Sequence, residues 1–430
     1  MAVSQIKNVK QKSQLGYAWL IWGLSAAFYF SDYLARVAPG VMHRSLQHDF
    51  GINEAGFGIL TASFYIPYIV MQMPVGLAVD RVSIRNLLTS MALITAFGCA
   101  VFGLSGSLMT ASVGRMLIGF SAAFAFISTL RLATAWFPPA MLGLLAGLTQ
   151  ALGMLGASAG EAPVSLLVAA VEWRHTMLII AFLFIVLSIL LYWFIRDDPN
   201  GGGALYEVKH DDKVGILRSL KIIISSSQTW INALYAGFLF APTAVIGESF
   251  GPAYLQYGRG LPAHAAAFAI GLIFIGWGIG GPLTGWLSDK IGRRKPLMLA
   301  SGLIGLLLSL LIVYYPNIDQ SMAYLLLFAF GFTNTGVAIA YAVSTEIQPR
   351  NVIGTSIAFT NMASIFVGAS LQPVVGCLVG MVAGARSYNV EQLLLPDFQA
   401  GLCILPLCSA IALILAFFVK ETYCKPSIKK

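Results

Sequence analysis

The chain alternates long apolar runs with short polar loops, and the runs fall into two sets of six. The first set lies at roughly 17–38, 55–78, 86–107, 109–137, 141–170 and 175–195. The second lies at roughly 228–248, 264–288, 296–315, 322–346, 352–382 and 399–419. At about 1.5 Å per residue, each run can cross a hydrocarbon layer about 30 Å thick as a helix. The run from Tyr17 continues past the apolar core of a signal peptide and lacks a small-residue cleavage site, so it predicts a retained first span behind Lys7, Lys10 and Lys12. The longest polar stretch begins Arg196-Asp197-Asp198-Pro199-Asn200-Gly201-Gly202-Gly203 and reads as a linker. The pattern predicts an all-α membrane protein with twelve transmembrane helices in two pseudo-symmetric six-helix bundles. Residues 1–195 form one bundle, 196–226 the linker and 227–430 the other.

Composition supports a lipid environment. Hydrophobic residues make up 58% and charged residues 10%, against about 25% charged in soluble domains. The net charge of +8 needs no nucleic-acid partner, because Lys and Arg crowd alternate loops. One side carries Arg81 and Arg85, the linker, Lys290 to Lys295 and both termini; the other carries only Arg44, Arg174, Arg259 and Arg386. That asymmetry places both termini in the cytosol of a cell whose plasma (inner) membrane holds the protein. The five cysteines and five histidines show no metal-ligand spacing, and no phosphate-binding Gly-x-x-x-x-Gly-Lys-(Ser/Thr) loop is present. No enzyme activity, metal or cofactor is expected, and the chain is expected to act as a monomer.

A ten-residue string occurs twice. Gly76-Leu77-Ala78-Val79-Asp80-Arg81-Val82-Ser83-Ile84-Arg85 matches Gly285-Trp286-Leu287-Ser288-Asp289-Lys290-Ile291-Gly292-Arg293-Arg294 as Gly-x-x-x-Asp-(Arg/Lys)-x-x-x-Arg. Around Gly143 and Gly354, Phe137-Pro138-Pro139 with Thr149-Gln150 parallels Ile347-Gln348-Pro349 with Thr360-Asn361. Repeats at half the chain length indicate two copies of one architecture. With the twelve runs, they make the whole chain resemble the major facilitator superfamily of secondary transporters. The family pattern has glycine where this chain has Ser83, so the first loop is expected to turn differently from the second. The resemblance implies a cytosolic gate from Asp80, Arg81, Arg85, Asp289, Arg293 and Arg294. Glu346, at the cytosolic end of span ten, is the expected partner of Arg293 or Arg294.

Ionisable groups inside spans are costly and usually functional. Arg131, in Arg-x-x-x-x-Trp-Phe-Pro, resembles the arginine of organic-anion:proton symporters that binds substrate carboxylate, a role the guanidinium fork suits. Asp32 and Arg36 share a helix face four residues apart; they either neutralise each other or line the cavity, with Asp32 carrying a proton. The surrounding run Tyr29 to Met42 resembles phagosomal nutrient transporters and siderophore carriers. Glu161 and its counterpart Gln372 pair an exchangeable proton on one half with a permanent amide on the other. Arg115 opens Arg-x-x-x-Gly, which resembles a span-four motif linked to proton coupling. Tyr29, Tyr33, Tyr65, Gln150, Asn334, Tyr341, Asn361 and Gln372 complete a candidate pocket. Glu248, near the outer end of span seven, reads as a gate residue or a solvated rim.

The expected function is proton-coupled import, by alternating access, of a small polar metabolite bearing a carboxylate, such as an amino acid or organic acid. The alternative is an exporter or importer of a siderophore, nucleoside or drug in the same fold. The loose match of Gly156 to Pro163 to exporter glycine-proline motifs weighs against export.

Overall fold

The computed structural model describes residues 2–138, 141–198, 221–349, 352–386 and 393–425, with side chains from residue 15 onward apart from a few positions. Asp80 and Arg81 are among those positions, and most of the expected linker, residues 199–220, also lies outside the described residues.

Among the described residues, ten helices are long and apolar enough to cross a membrane. One of them, Leu142–Phe194, holds spans five and six, merged across Glu172 at φ 66°. With Ala2–Val37 as span one, the count is the expected twelve, and the protein is a multi-pass membrane protein. Spans three, four, eight and nine are Ile84–Gly103, Leu108–Trp136, Ala263–Ile291 and Lys295–Tyr314. Span eleven is Ile353–Arg386.

Four spans are broken or distorted, span twelve by a one-residue break at Cys403 between Leu395–Leu402 and Ile404–Phe418. Span two divides into Glu54–Ala62 and Tyr65–Arg81. Pro67 cannot donate to the Ser63 carbonyl, and the Ser63 hydroxyl instead donates back to Leu60 O at 2.7 Å. Span ten divides into Gln320–Thr333 and Gly336–Glu346. Span seven starts as Ser227–Pro242 and widens into π-helical turns over Thr243–Phe250 and Tyr254–Gly258. It therefore runs about ten residues further than the apolar pattern predicts. Glu248 lies inside the span, 3% exposed, and is not a solvated rim residue.

The two halves pack by the same scheme. Span one lies on span five as span seven lies on eleven, and span two lies on four as eight lies on ten. Gly119 meets the Phe64 carbonyl just as Gly331 meets the Ile273 carbonyl, with no room for a Cβ at either place. Between halves, span five packs on eight and span two on eleven. Far from the termini this seam is tight. A Cβ on Gly58 would lie 2.6 Å from Gln372 O, and Gly376 abuts the Glu54 carbonyl. Thr61 and Ser249 hydroxyls meet across it at 3.2 Å. At the termini end, Gly147, Gly281 and Gly285 face open space.

Candidate transport site

Arg36, on span one, is 3% exposed, and its Nη2 lies 2.9 Å from Glu248 Oε1 on span seven. The ion pair crosses the seam between halves. The same guanidinium donates to the Tyr65 hydroxyl at 3.3 Å and lies 5.0–5.9 Å from the ring centres of Tyr33, Phe64, Tyr65 and Tyr68. Arg115 reaches over from span four and donates to the Ala35 and Arg36 carbonyls at 3.1 and 3.0 Å. Asp32 does not hydrogen-bond to Arg36; its Oδ1 is buried with no hydrogen-bond partner. Of the two sequence readings, mutual neutralisation by a direct Asp32–Arg36 contact does not occur, because Glu248 takes the guanidinium.

The pocket candidates separate into groups. Tyr29 donates to Gln150 at 3.2 Å and packs edge-on to Tyr33, joining the Arg36 cluster. Tyr341 donates to Asn361 at 2.8 Å, and Asn361 donates across the seam to Gln72 at 2.8 Å. Gln372 donates to Ala244 O at 3.0 Å and Asn334 to Thr243 at 3.1 Å, so both amides tie span seven to its neighbours. Arg131 is half-buried on span four. At 16 residues from Arg115 it lies about 24 Å further along the helix axis, so it is not gathered with Arg36. Glu161 is fully buried beside Gly271 of span eight, and both its oxygens lack a hydrogen-bond partner.

At the termini end the second motif forms a charge cluster. Arg294 lies 2.6 Å from Asp289 and 2.7 Å from Glu346, so Arg294 takes the glutamate. Arg293 instead lies 5.9 Å from the Tyr423 ring. All these contacts stay within the second half. Glu421 accepts from the Arg294 and Lys295 backbone amides. Burial pushes its pKa up, but the amides of Arg294, Tyr423, Lys295 and Thr422 outweigh this and hold it below the ordinary value. In the first half, Asp197 caps the Arg85 amide at 2.8 Å and the Arg85 guanidinium sits 5.0 Å from the Tyr192 ring. In the repeat that aligns Phe137 with Ile347, Trp136 stands where the second copy has Glu346, so the first copy has no equivalent acid there. Gly292 has φ +68°, a left-handed conformation that favours glycine. Ser83 has φ −56° and caps span three through its hydroxyl. The loops do turn differently.

The sequence reading missed Gln72 and the pair His43–Glu54. His43 Nε2 lies 2.8 Å from Glu54 Oε2, and Gln47 bonds the other oxygen. They line a recess of about 1080 Å³ at the end far from the termini. Glu54 was hidden because it opens span two, where an acid also serves the helix N-terminus.

Residues 21–373 match the model of the Major Facilitator Superfamily, and the chain belongs to that family of transporters. It is 24% identical to a probable sulfoacetate transporter of Cupriavidus necator, over 68% of this chain and 70% of that one. It is 23% identical to a probable galactarate/D-glucarate transporter of Escherichia coli, over 88% and 90%. Its fold matches a bacterial homologue of the lysosomal transporter Spinster in an inward-facing, unoccupied conformation, with TM-score 0.76, 16% identity, and 93% and 97% of the two chains covered. The family is not one of enzymes.

Proposed function

We propose that the protein imports a small polar metabolite bearing a carboxylate, coupled to protons, across the inner (plasma) membrane with both termini in the cytosol. The observation that supports this most is the Arg36–Glu248 pair, a buried guanidinium held between the two halves where alternating-access carriers bind their cargo. A guanidinium stripped of water binds a carboxylate strongly. The relatives named for sulfoacetate and for galactarate and D-glucarate carry acids, which supports an anionic group on the cargo. Arg131, nearer the termini end, is the second carboxylate contact on the path inward. Tyr29, Tyr33, Tyr65, Gln150, Tyr341 and Asn361 supply hydroxyl and amide contacts, while Asn334 and Gln372 hold the helices that frame them.

Glu161 carries the proton in this reading. An ionised carboxylate without a partner is costly away from water, so the acid is protonated while spans five and eight pack together. It releases the proton when they part. Asp32, beside Arg36 and Arg115, links that exchange to cargo binding. With the termini inside, the open termini end makes this the inward-facing conformation. Asp289, Arg294 and Glu346 then stiffen the second-half loop that meets Asp80, Arg81 and Arg85 when the cytosolic side closes.

The test is uptake into proteoliposomes of amino acids, organic acids, nucleosides and sugars, with and without an inward proton gradient. Gradient-driven uptake of a carboxylate is expected. Uptake restricted to uncharged sugars or nucleosides would sink the reading.

A further inference from the structure

The Arg36–Glu248 pair has three features that a simple clasp between halves would not need. Each partner keeps an unused polar atom. Arg36 Nε and Glu248 Oε2 are both buried without a hydrogen-bond partner, although each residue is only 3% exposed. The guanidinium is walled by four aromatic rings, three of them tyrosines, and the Tyr65 hydroxyl accepts from it. The pair also balances its own charge: Glu248 offsets Arg36, while the neighbouring Arg115 is already committed to two backbone carbonyls.

We propose that Glu248 selects the cargo, and that the cargo is a zwitterion carrying a cationic nitrogen close to its carboxylate. This rests on the carboxylate reading above and narrows it. The cargo's carboxylate replaces Glu248 on Arg36, and its ammonium replaces Arg36 on Glu248. The molecule then bridges the two halves as the ion pair does now. The exchange returns a partner to each charge and supplies the contacts that Nε and Oε2 lack. A net anion would satisfy Arg36 but leave Glu248 buried and unpaired, which is strongly unfavourable in a water-poor site. A zwitterion leaves the charge balance unchanged. Losing Glu248 therefore changes which molecules bind and does not merely weaken binding.

Binding to the purified full-length protein in detergent tests this, read by ligand-induced thermal stabilisation. Each neutral L-amino acid is set beside its 2-hydroxy-acid analogue, with succinate as a dianion. The expected result is that at least one amino acid binds roughly tenfold or more tightly than its hydroxy analogue. In Glu248→Gln that preference disappears or inverts toward the hydroxy acid, and Glu248→Asp retains part of it. Size-exclusion profiles establish that each variant is folded; should Glu248→Gln fail to fold, the wild-type preference and Glu248→Asp decide. Hydroxy acids or succinate binding as tightly as amino acids would overturn the proposal and leave the carboxylate reading standing. Glu248→Gln keeping the full amino-acid preference would do the same. Binding by none of these compounds would overturn both.

Discussion

Arg294 Nη2 lies 2.7 Å from Glu346 Oε1, joining the loop after span eight to the end of span ten. Both side chains are 9% exposed, whereas Asp289, the other partner of Arg294, is 66% exposed. Exposure separates the two interactions. Glu346→Gln leaves a buried guanidinium short of a partner and is expected to destabilise the second half by about 3–5 kcal/mol. Asp289→Asn is expected to change stability by no more than about 1 kcal/mol. Thermal unfolding of the two variants in detergent checks the order; equal shifts would contradict it.

Gly119 has no space for a side chain because the Phe64 carbonyl of span two lies against it. Gly119→Ala must push the spans apart, and overpacking costs about 1–3 kcal/mol or more when backbone blocks the way. Gly147 faces open space, so Gly147→Ala is expected to be neutral or slightly stabilising. The yield of monodisperse protein for the two variants is the readout.

Glu161→Gln replaces an unpartnered acid with a neutral isostere. The expected outcome is loss of accumulation driven by a pH gradient, with counterflow exchange of cargo retained. Unchanged gradient-driven accumulation would remove Glu161 from coupling.

Arg131→Ala is expected to raise KM while leaving the Arg36 cluster folded, since Arg131 lies about 24 Å along span four from Arg115, which meets that cluster. Arg131→Lys keeps the charge but loses the fork and is expected to fall between. Wild-type kinetics in Arg131→Ala would take this residue off the path.

Glu421 gives a pH-dependent contribution with a defined sign. Its folded pKa is depressed below 4.5, so its stabilisation is fully present above that value and fades as pH falls through the folded pKa. Wild type is expected to melt above Glu421→Gln at pH 7, and the gap is expected to narrow as pH is lowered below about 4.5. A gap that widens on acidification would reverse the assignment.

Much of the architecture was legible in the linear pattern. Apolar runs of membrane length, alternating basic loops and the repeat at Asp80 and Asp289 led to the family that residues 21–373 match. The inequivalence of the two loops was also legible, because only Gly292 tolerates the left-handed turn that Ser83 avoids. The site was legible as a set of residue types and not as a set of partners. Asp32 and Arg36, four apart on one helix, invited a local pairing; Glu248, which takes Arg36, is 212 residues away on a span whose wide turns carry it past the expected end.

The sequence alone determined which segments are helical, which loops share a side and where the halves repeat. Hydropathy, charge and glycine act over a few residues, and lipid enforces them strongly. Tertiary structure decided what those signals cannot encode. It made Gln372 and Asn334 interhelical ties, left Glu161 without a partner, and set Arg36 against Glu248. Pairing across the seam depends on how two bundles meet, and that is fixed by close packing of small residues and by the demand that every buried charge find a counterpart.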